Sequence, residues 1–311
     1  GAVLALVPKQ YLPNYQEFYE ARWFTAADGS EPQSVDMGAL GQVPFGIDLL
    51  LESHELTVGI EICEDLWMPV PPSSLQAAAG ANLLLNLSAS NELVGKAAWR
   101  EMLVRSQSGR CLAAYAYASA GPSESTTDVV FGGHCMIAEN GALLAESQRV
   151  GLEGCGWIEN SSATADIDLQ RLAHDRQVTG SWQQSAKRSA THFRRISLPR
   201  TAYADGARRA ISATPFVPAV GQELHQRCAE IFGIQCAALS KRVSRLPLSA
   251  KLNIGVSGGL DSTLALLVAV KMCNQQGLPA DRIAGITMPG FGTTTRTLTA
   301  ARELMQQLRI T

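Results

Sequence analysis

Leu252-Asn-Ile-Gly-Val256, then Ser257-Gly258-Gly259-Leu260-Asp261-Ser262, then the apolar stretch Leu264–Val270 follow one another directly. Their order reads as strand, glycine turn and helix. A second strand pattern lies at Ile283–Met288, so the stretch forms a β-α-β unit of about 35 residues, whose crossover is expected to be right-handed over a parallel sheet. Two adjacent glycines let another group approach the backbone closely. Consecutive N–H groups make an anion nest, the helix that follows aims its N-terminus at the bound charge, and Ser257 and Ser262 add hydroxyls. Such a turn suits a polyphosphate better than it suits a plain capped turn. Asp261 would repel a phosphate unless a cation lay between them, so the same loop implies Mg²⁺.

Competing motifs fail on spacing. A Walker loop needs Gly-x4-Gly-Lys-[Ser/Thr], and the dinucleotide pattern Gly-x-Gly-x-x-Gly is also absent from this turn. Gly255-Val-Ser257-Gly-Gly259 matches a nucleophile elbow, but that fold needs a His after the Ser, and the five His are at 54, 134, 174, 192 and 225, all upstream. Before the unit, Leu224, Cys228, Ile231, Phe232, Cys236, Leu239, Val243 and Leu246 recur at helical steps. Pro215 and Pro218 close the preceding stretch, Arg171–Ala210, which holds nine Lys and Arg against Asp175 and Asp205. With few aromatics and no groove-reading motif, this basic run reads as a solvated connector or subunit contact.

Residues 1–160 alternate short apolar runs with turns. Strands are expected at 1–7, 56–62, 82–88, 111–119 and 129–138, an amphipathic helix at Lys96–Gln107, and a hairpin at Val129–Leu144 around Asn140-Gly141. In Gly59-Ile-Glu-Ile-Cys63-Glu64-Asp65-Leu-Trp67 a cysteine ends a strand. A lone Cys is most often a small core hydrophobe. At a strand terminus before Glu64-Asp65 it is placed to be reached, and a nearby ammonium, with Lys9 the candidate, would favour the thiolate that attacks carbonyl carbon. His134-Cys135 is no couple, since neighbours on a strand face opposite ways, and His54-Glu55 lacks the second His of a zinc helix.

The whole chain has 311 residues, 46% hydrophobic and 17% charged, which suggests two ordinary globular domains. A net charge of −2 argues against a nucleic-acid partner. Seven Cys without a Cys-x-x-Cys pair point to a reducing, cytoplasmic setting. The apolar runs fall far short of the ~20 residues that span a bilayer, so no membrane association is expected.

Ser257–Ser262 resembles the pyrophosphate loop of the ATP-pyrophosphatase superfamily, and Thr287-Met-Pro-Gly-Phe-Gly-Thr-Thr-Thr-Arg-Thr297 is similar to the segment that follows it in NAD synthetases. Val7-Pro-Lys9-Gln-Tyr-Leu-Pro-Asn-Tyr15-Gln-Glu-Phe18-Tyr-Glu-Ala-Arg-Trp-Phe24 and Gly59–Trp67 resemble the amidase domain of the glutamine-dependent NAD synthetases, a nitrilase-superfamily branch. Leu85–Ser90, Ala114–Gly121 and Glu124–Thr126 agree.

The resemblance implies an α/β chain: a nitrilase-like αββα sandwich over 1–190, a basic, Pro-containing linker over 191–220, and over 221–311 the first part of a Rossmann-like parallel α/β synthetase domain, both domains truncated. It implies Cys63 as nucleophile on glutamine, and Lys9 with the Glu64 backbone N–H as oxyanion stabilisers. Tyr15, Phe18, Glu64 and Ser90 line the glutamine pocket. Ser257, Gly258, Gly259, Leu260, Asp261 and Ser262 bind ATP, with Asp261 on Mg²⁺. The resemblance further implies that nicotinic acid adenine dinucleotide is the acid to be amidated and that ammonia passes inside the protein, and a homo-oligomer is expected. The family's general base, a Glu, is expected before Gly1, and further substrate and metal residues after Thr311, so the chain reads as a piece incomplete at both ends. Glu61, two residues before Cys63, is expected on the same strand face. An amidase joined to another ATP-pyrophosphatase partner, or a non-catalytic binding protein, remain the alternatives.

Overall fold

The run Leu83-Leu-Leu-Asn-Leu87 turns Leu84 and Asn86 to a buried face and Leu83, Leu85 and Leu87 to a more open one. It lies at the centre of the main sheet in the computed structural model, which describes residues 2–150, 161–189, 191–199, 206, 208–217, 221–291 and 294–310. The chain divides into two units, Gly1–Ala210 and Ile211–Thr311.

The first unit contains a small antiparallel pair, β1 (Ser34–Asp36) and β2 (Gln42–Pro44), and seven strands in one mixed sheet. These are β3 (Leu49–Ser53), β4 (Leu56–Ile62), β5 (Leu83–Ser88), β6 (Ala114–Ser119), β7 (Cys135–Glu139), β8 (Ala142–Glu146) and β9 (Arg194–Ser197), in the order β8-β7-β6-β5-β4-β3-β9. β4, β5 and β6 are parallel, with Ile62 beside Leu87 and Ser88 beside Ser119, so their C-terminal ends share one edge. Helices α1 (Pro72–Ala78) and α2 (Lys96–Cys111) make the crossovers. Leu50, Leu66, Ala77, Leu84, Val104, Tyr115 and Met136 form the buried core. The hairpin turn is as expected, with Asn140 (φ 45°) and Gly141 (φ 81°) both left-handed.

Several expectations shift. Residues 2–7 form no strand: Leu6 makes one isolated parallel bridge to Phe45, between Pro8 and Pro44, which have no N–H to extend a ladder. The strand expected at 129–138 starts only at Cys135, after Gly132 and a left-handed Gly133 (φ 68°). The strand expected from 111 begins at Ala114, because α2 runs on to Cys111.

The basic stretch is not a solvated connector. It forms α3 (Leu169–Val178), α4 (Gly180–Arg188) and β9. The Arg176 guanidinium donates to the carbonyls of Leu112, Ala81, Cys111 and Gly80 at 3.0, 2.6, 2.9 and 3.3 Å and lies 4.6 Å from the Trp182 ring. Its desolvation brings the guanidinium pKa down to about 10. Arg194 holds Asp48 through Nε at 2.8 Å and Nη2 at 2.5 Å, which fixes β9 beside β3. Residues 194–197 therefore belong to the first unit rather than to a linker opening at 191.

The second unit follows the expected order, α5 (Gln222–Val243), β10 (Leu252–Gly255), α6 (Leu260–Gln275) and β11 (Ile283–Ile286), and adds α7 (Thr295–Gln307). β10 and β11 pair in parallel from Leu252 beside Ile283 to Gly255 beside Ile286. Cys236, Val243, Val256, Leu266, Met272, Ile283 and Ala301 form its core. Among the described residues no helix is long and apolar enough to cross a membrane. Cys155, Pro218 and Gly292-Thr293 lie outside the described residues.

Candidate active site

Parallel strands deliver their following loops to one edge of a sheet, where ligands of α/β folds bind. In the first unit this edge brings together Cys63 after β4 and Ser90 after β5. Cys63 is buried and left-handed (φ 52°), a conformation that costs a side-chain-bearing residue about 1–2 kcal/mol. It opens a 3₁₀ turn, Cys63–Trp67, that leaves the plane of the sheet. Asn86, a buried amide in the middle of β5, holds the turn by accepting from Cys63 N at 3.1 Å and donating to Cys63 O at 3.5 Å.

Asp65 ties a second segment to the same turn. Its carboxylate accepts from Ile62 N (2.9 Å), Tyr11 N (2.9 Å) and Gln10 N (3.2 Å). Burial pushes this carboxyl up, against the pull of those three amides and of the Lys9 ammonium. Lys9 itself pairs with Glu20 Oε2 at 2.5 Å, not with the sulfur of Cys63. Tyr15 donates to Glu64 Oε1 at 2.9 Å and packs edge-on against Phe18, with ring centroids 5.9 Å apart. Burial and the Glu64 carboxylate raise the Tyr15 phenol to about 12, so it remains a donor across the neutral and mildly alkaline range.

Two residues were not singled out by sequence reasoning. Lys96, the first residue of α2, reads in the sequence as the polar edge of a helix. Its Nζ lies 5.7 Å from the Phe18 ring centroid and 5.5 Å from that of Trp67, and it donates to Asn91 Oδ1 at 2.5 Å. Desolvation, then Arg100, lower its pKa, while Cys63, Glu17 and Glu64 favour its charge. Asn86 carried a signal, a lone amide inside an otherwise apolar strand. Glu61 does not share a face with Cys63: the left-handed turn breaks the alternation, and Glu61 is buried, accepting from Tyr115 Oη and from Ser73 N (2.8 Å).

In the second unit, the ends of β10 and β11 frame a cavity of about 480 Å³ lined by Gly255, Val256, Ser257, Gly259, Ile286, Thr287, Met288 and Thr297. Gly258 is left-handed (φ 81°), and a Cβ there would lie 2.2 Å from the Thr297 carbonyl oxygen, so only glycine fits. The Ser257 and Ser262 hydroxyls are 3.1 Å apart, and Ser262 Oγ accepts from Ser257 N at 3.2 Å. Gly259 precedes α6, whose first residue is Leu260 and whose first turn carries the exposed Asp261. Among the described residues no group of three or more His, Cys, Asp or Glu could hold a metal. A single carboxylate does suit Mg²⁺ that takes its remaining ligands from phosphate oxygens and water, so Asp261 fits that role.

A family profile described as NAD synthase matches residues 232–311. The glutamine-dependent NAD(+) synthetase of Mycobacterium leprae is 43% identical over all of this chain, and that of Mycobacterium tuberculosis H37Rv is 44% identical. The chain spans 46% of the length of each, so it covers about half of these curated relatives. The glutamine-dependent NAD+ synthetase from Acinetobacter baumannii, solved with adenosine diphosphate, aligns over 97% of this chain and 43% of its own, at 20% identity and a TM-score of 0.40. With a cysteine on the edge of one sheet, a glycine cradle on the edge of the other, and sequence identity running from end to end, the chain belongs to the glutamine-dependent NAD(+) synthetase family.

Proposed function

We propose that the chain supplies the ammonia-releasing site and the nucleotide loop of a cytoplasmic, homo-oligomeric enzyme that makes NAD from nicotinic acid adenine dinucleotide, glutamine and ATP. The first unit is read as nitrilase-like. Cys63 Sγ attacks the side-chain carboxamide carbon of glutamine, the C–N bond breaks, and the nitrogen leaves with a proton as ammonia. Water then hydrolyses the thioester to glutamate and returns the thiol. The Glu64 N–H is read as the oxyanion donor, joined by Lys9 once its ammonium turns from Glu20 toward the bound amide. Tyr15, Phe18 and Ser90 line the pocket. An amino acid brings one positive and one negative end, and Glu64 and Lys96 supply the complementary charges.

At the second site, a carboxylate oxygen of the dinucleotide attacks the α-phosphorus of ATP and pyrophosphate leaves. Ammonia then displaces AMP to form the amide. Ser257, Gly258, Gly259, Leu260 and Ser262 hold the leaving pyrophosphate through N–H and hydroxyl donors. Mg²⁺, held by Asp261, would neutralise phosphate charge when bound.

The observation that carries this reading is the left-handed Cys63, strained at the end of a central parallel strand with Tyr15, Glu64 and Lys96 around it. A glutamine analogue with an electrophilic carbon in place of the amide tests it. Peptide mapping is expected to find the label on Cys63, with glutamine slowing its attachment. Lys96→Met is expected to raise the half-saturating analogue concentration about tenfold, the loss of one charge-assisted contact of about 1.4 kcal/mol. Because the Lys96 pKa lies below the usual lysine value, wild-type affinity is expected to fall on the alkaline side before an ordinary lysine would titrate, and the Lys96→Met variant to lack that limb. Labelling that ignores glutamine, or falls on other cysteines equally, contradicts the reading.

A further inference from the structure

Arg100 is fully buried in α2, and its guanidinium joins four groups. Nη1 donates to Glu92 Oε1 and His134 Nδ1, each at 2.9 Å, and Nη2 to Ser90 Oγ and the Asn91 carbonyl, each at 3.3 Å. A guanidinium has no acceptor, so His134 Nδ1 must accept and its proton must sit on Nε2, which donates to Glu146 Oε1 at 2.7 Å. Asn91 is the link to the pocket. Its backbone carbonyl is held by Arg100, while its side chain accepts from Lys96 and donates to Glu17.

The site around Glu92 leaves no slack. A Cβ on Gly132 would lie 2.4 Å from Glu92 Oε1 and 2.7 Å from its Cγ and Cδ, so the glycine makes room for this carboxylate. Arg149 stands 3.8 Å from its other oxygen. A buried ion pair adds little net stability compared with apolar residues of the same volume. What a guanidinium adds is a rigid plane of donors that fixes several acceptors at once.

We propose that Arg100 and His134 are positioning residues of the amino-acid pocket, holding the Ser90–Asn91 turn so that Lys96 stands where a substrate carboxylate needs it. This rests on the reading of Cys63 and Lys96 given above. Neutral His134 is required, because a protonated imidazole would present an N–H to Nη1. The charged groups that face His134 are Arg100 from α2, Glu92 from the segment after β5, and Glu146 from β8. Burial and Arg100 keep its pKa below the usual 6.5, against the pull of the two carboxylates.

The test labels the purified chain with the electrophilic glutamine analogue and, in parallel, with iodoacetamide, which has no amino-acid end. Arg100→Lys and Gly132→Ala are expected to raise the half-saturating analogue concentration tenfold or more, with iodoacetamide alkylation of Cys63 changed less than about twofold. In wild type, analogue affinity is expected to fall on the acid side, at lower pH than the titration of an ordinary histidine. His134→Asn, whose Oδ1 can replace Nδ1 as acceptor and cannot titrate, is expected to keep its affinity there. Equal changes in both labelling rates, no change in either, or the same acid limb in wild type and His134→Asn would overturn the proposal. Carbon-13 dimethylation of lysines adds a readout that needs no substrate: the Lys96 methyl resonance should move with the His134 titration in wild type and stay fixed in His134→Asn. If the analogue never saturates but that resonance moves, the pocket reading fails and the coupling stands; a resonance that does not move refutes the coupling.

Discussion

Cys63→Ala is expected to abolish γ-glutamyl thioester formation, and with it any ammonia release from glutamine, because the covalent nucleophile is removed. No neighbouring group takes its place. The Tyr15 hydroxyl is raised to about 12 and bound to Glu64, Glu61 is committed to Tyr115 and Ser73, and Asn86 is spent on the backbone of the turn. The fold should persist, because the turn is held by Asn86 and Asp65 and not by the sulfur. Cys63→Gly should also lose activity yet melt higher than Cys63→Ala, by about 1 kcal/mol, because glycine accepts φ 52° without strain. An ammonia assay and thermal melts on the same preparations check both halves.

Gly258→Val is expected to abolish measurable ATP binding. The new Cβ would lie 2.2 Å from the Thr297 carbonyl oxygen and 2.9 Å from its carbon, and both belong to backbone that cannot swing aside. A β-branched residue at φ 81° adds left-handed strain. The loop must move, and with it the N–H groups proposed to hold phosphate. Strain and overpacking together should destabilise the second unit by about 2 kcal/mol or more. Calorimetric titration with ATP and Mg²⁺ reads the binding loss. Gly233→Ala, in α5, where a Cβ meets nothing within 4 Å, provides the comparison, with near-normal binding expected. Retained affinity in Gly258→Val would show that the turn does not cradle the nucleotide.

Local pattern carried the second unit almost entirely. The β-α-β order and the long α5 are each a matter of spacing within one segment, and the structure keeps them. The Asn140-Gly141 turn was legible for the same reason. What was not legible depends on partners distant in sequence. Arg176 and Arg194 read as solvated charges because nothing nearby in sequence shows the carbonyls of residues 80, 81, 111 and 112, or Asp48, that receive them. Glu61 was misplaced because period-two alternation presumes an extended strand, and Cys63 leaves that conformation. Lys96 lacked any signal of its own: it enters the pocket only because the helix after β5 begins beside the segment carrying Phe18. The residues quoted from the two motifs, by contrast, gather at two sheet edges, with Tyr15 on Glu64 beside Cys63 and Ser257 on Ser262. Lys9 is the exception, since its ammonium faces Glu20.

The most direct measurement is acid quenching of the protein during exposure to glutamine, followed by mass analysis of its peptides. A γ-glutamyl thioester on the peptide carrying Cys63, forming and decaying at rates that match ammonia release, is the predicted result. Ammonia released at an undiminished rate with no adduct on that peptide, or by the Cys63→Ala protein, would contradict the account.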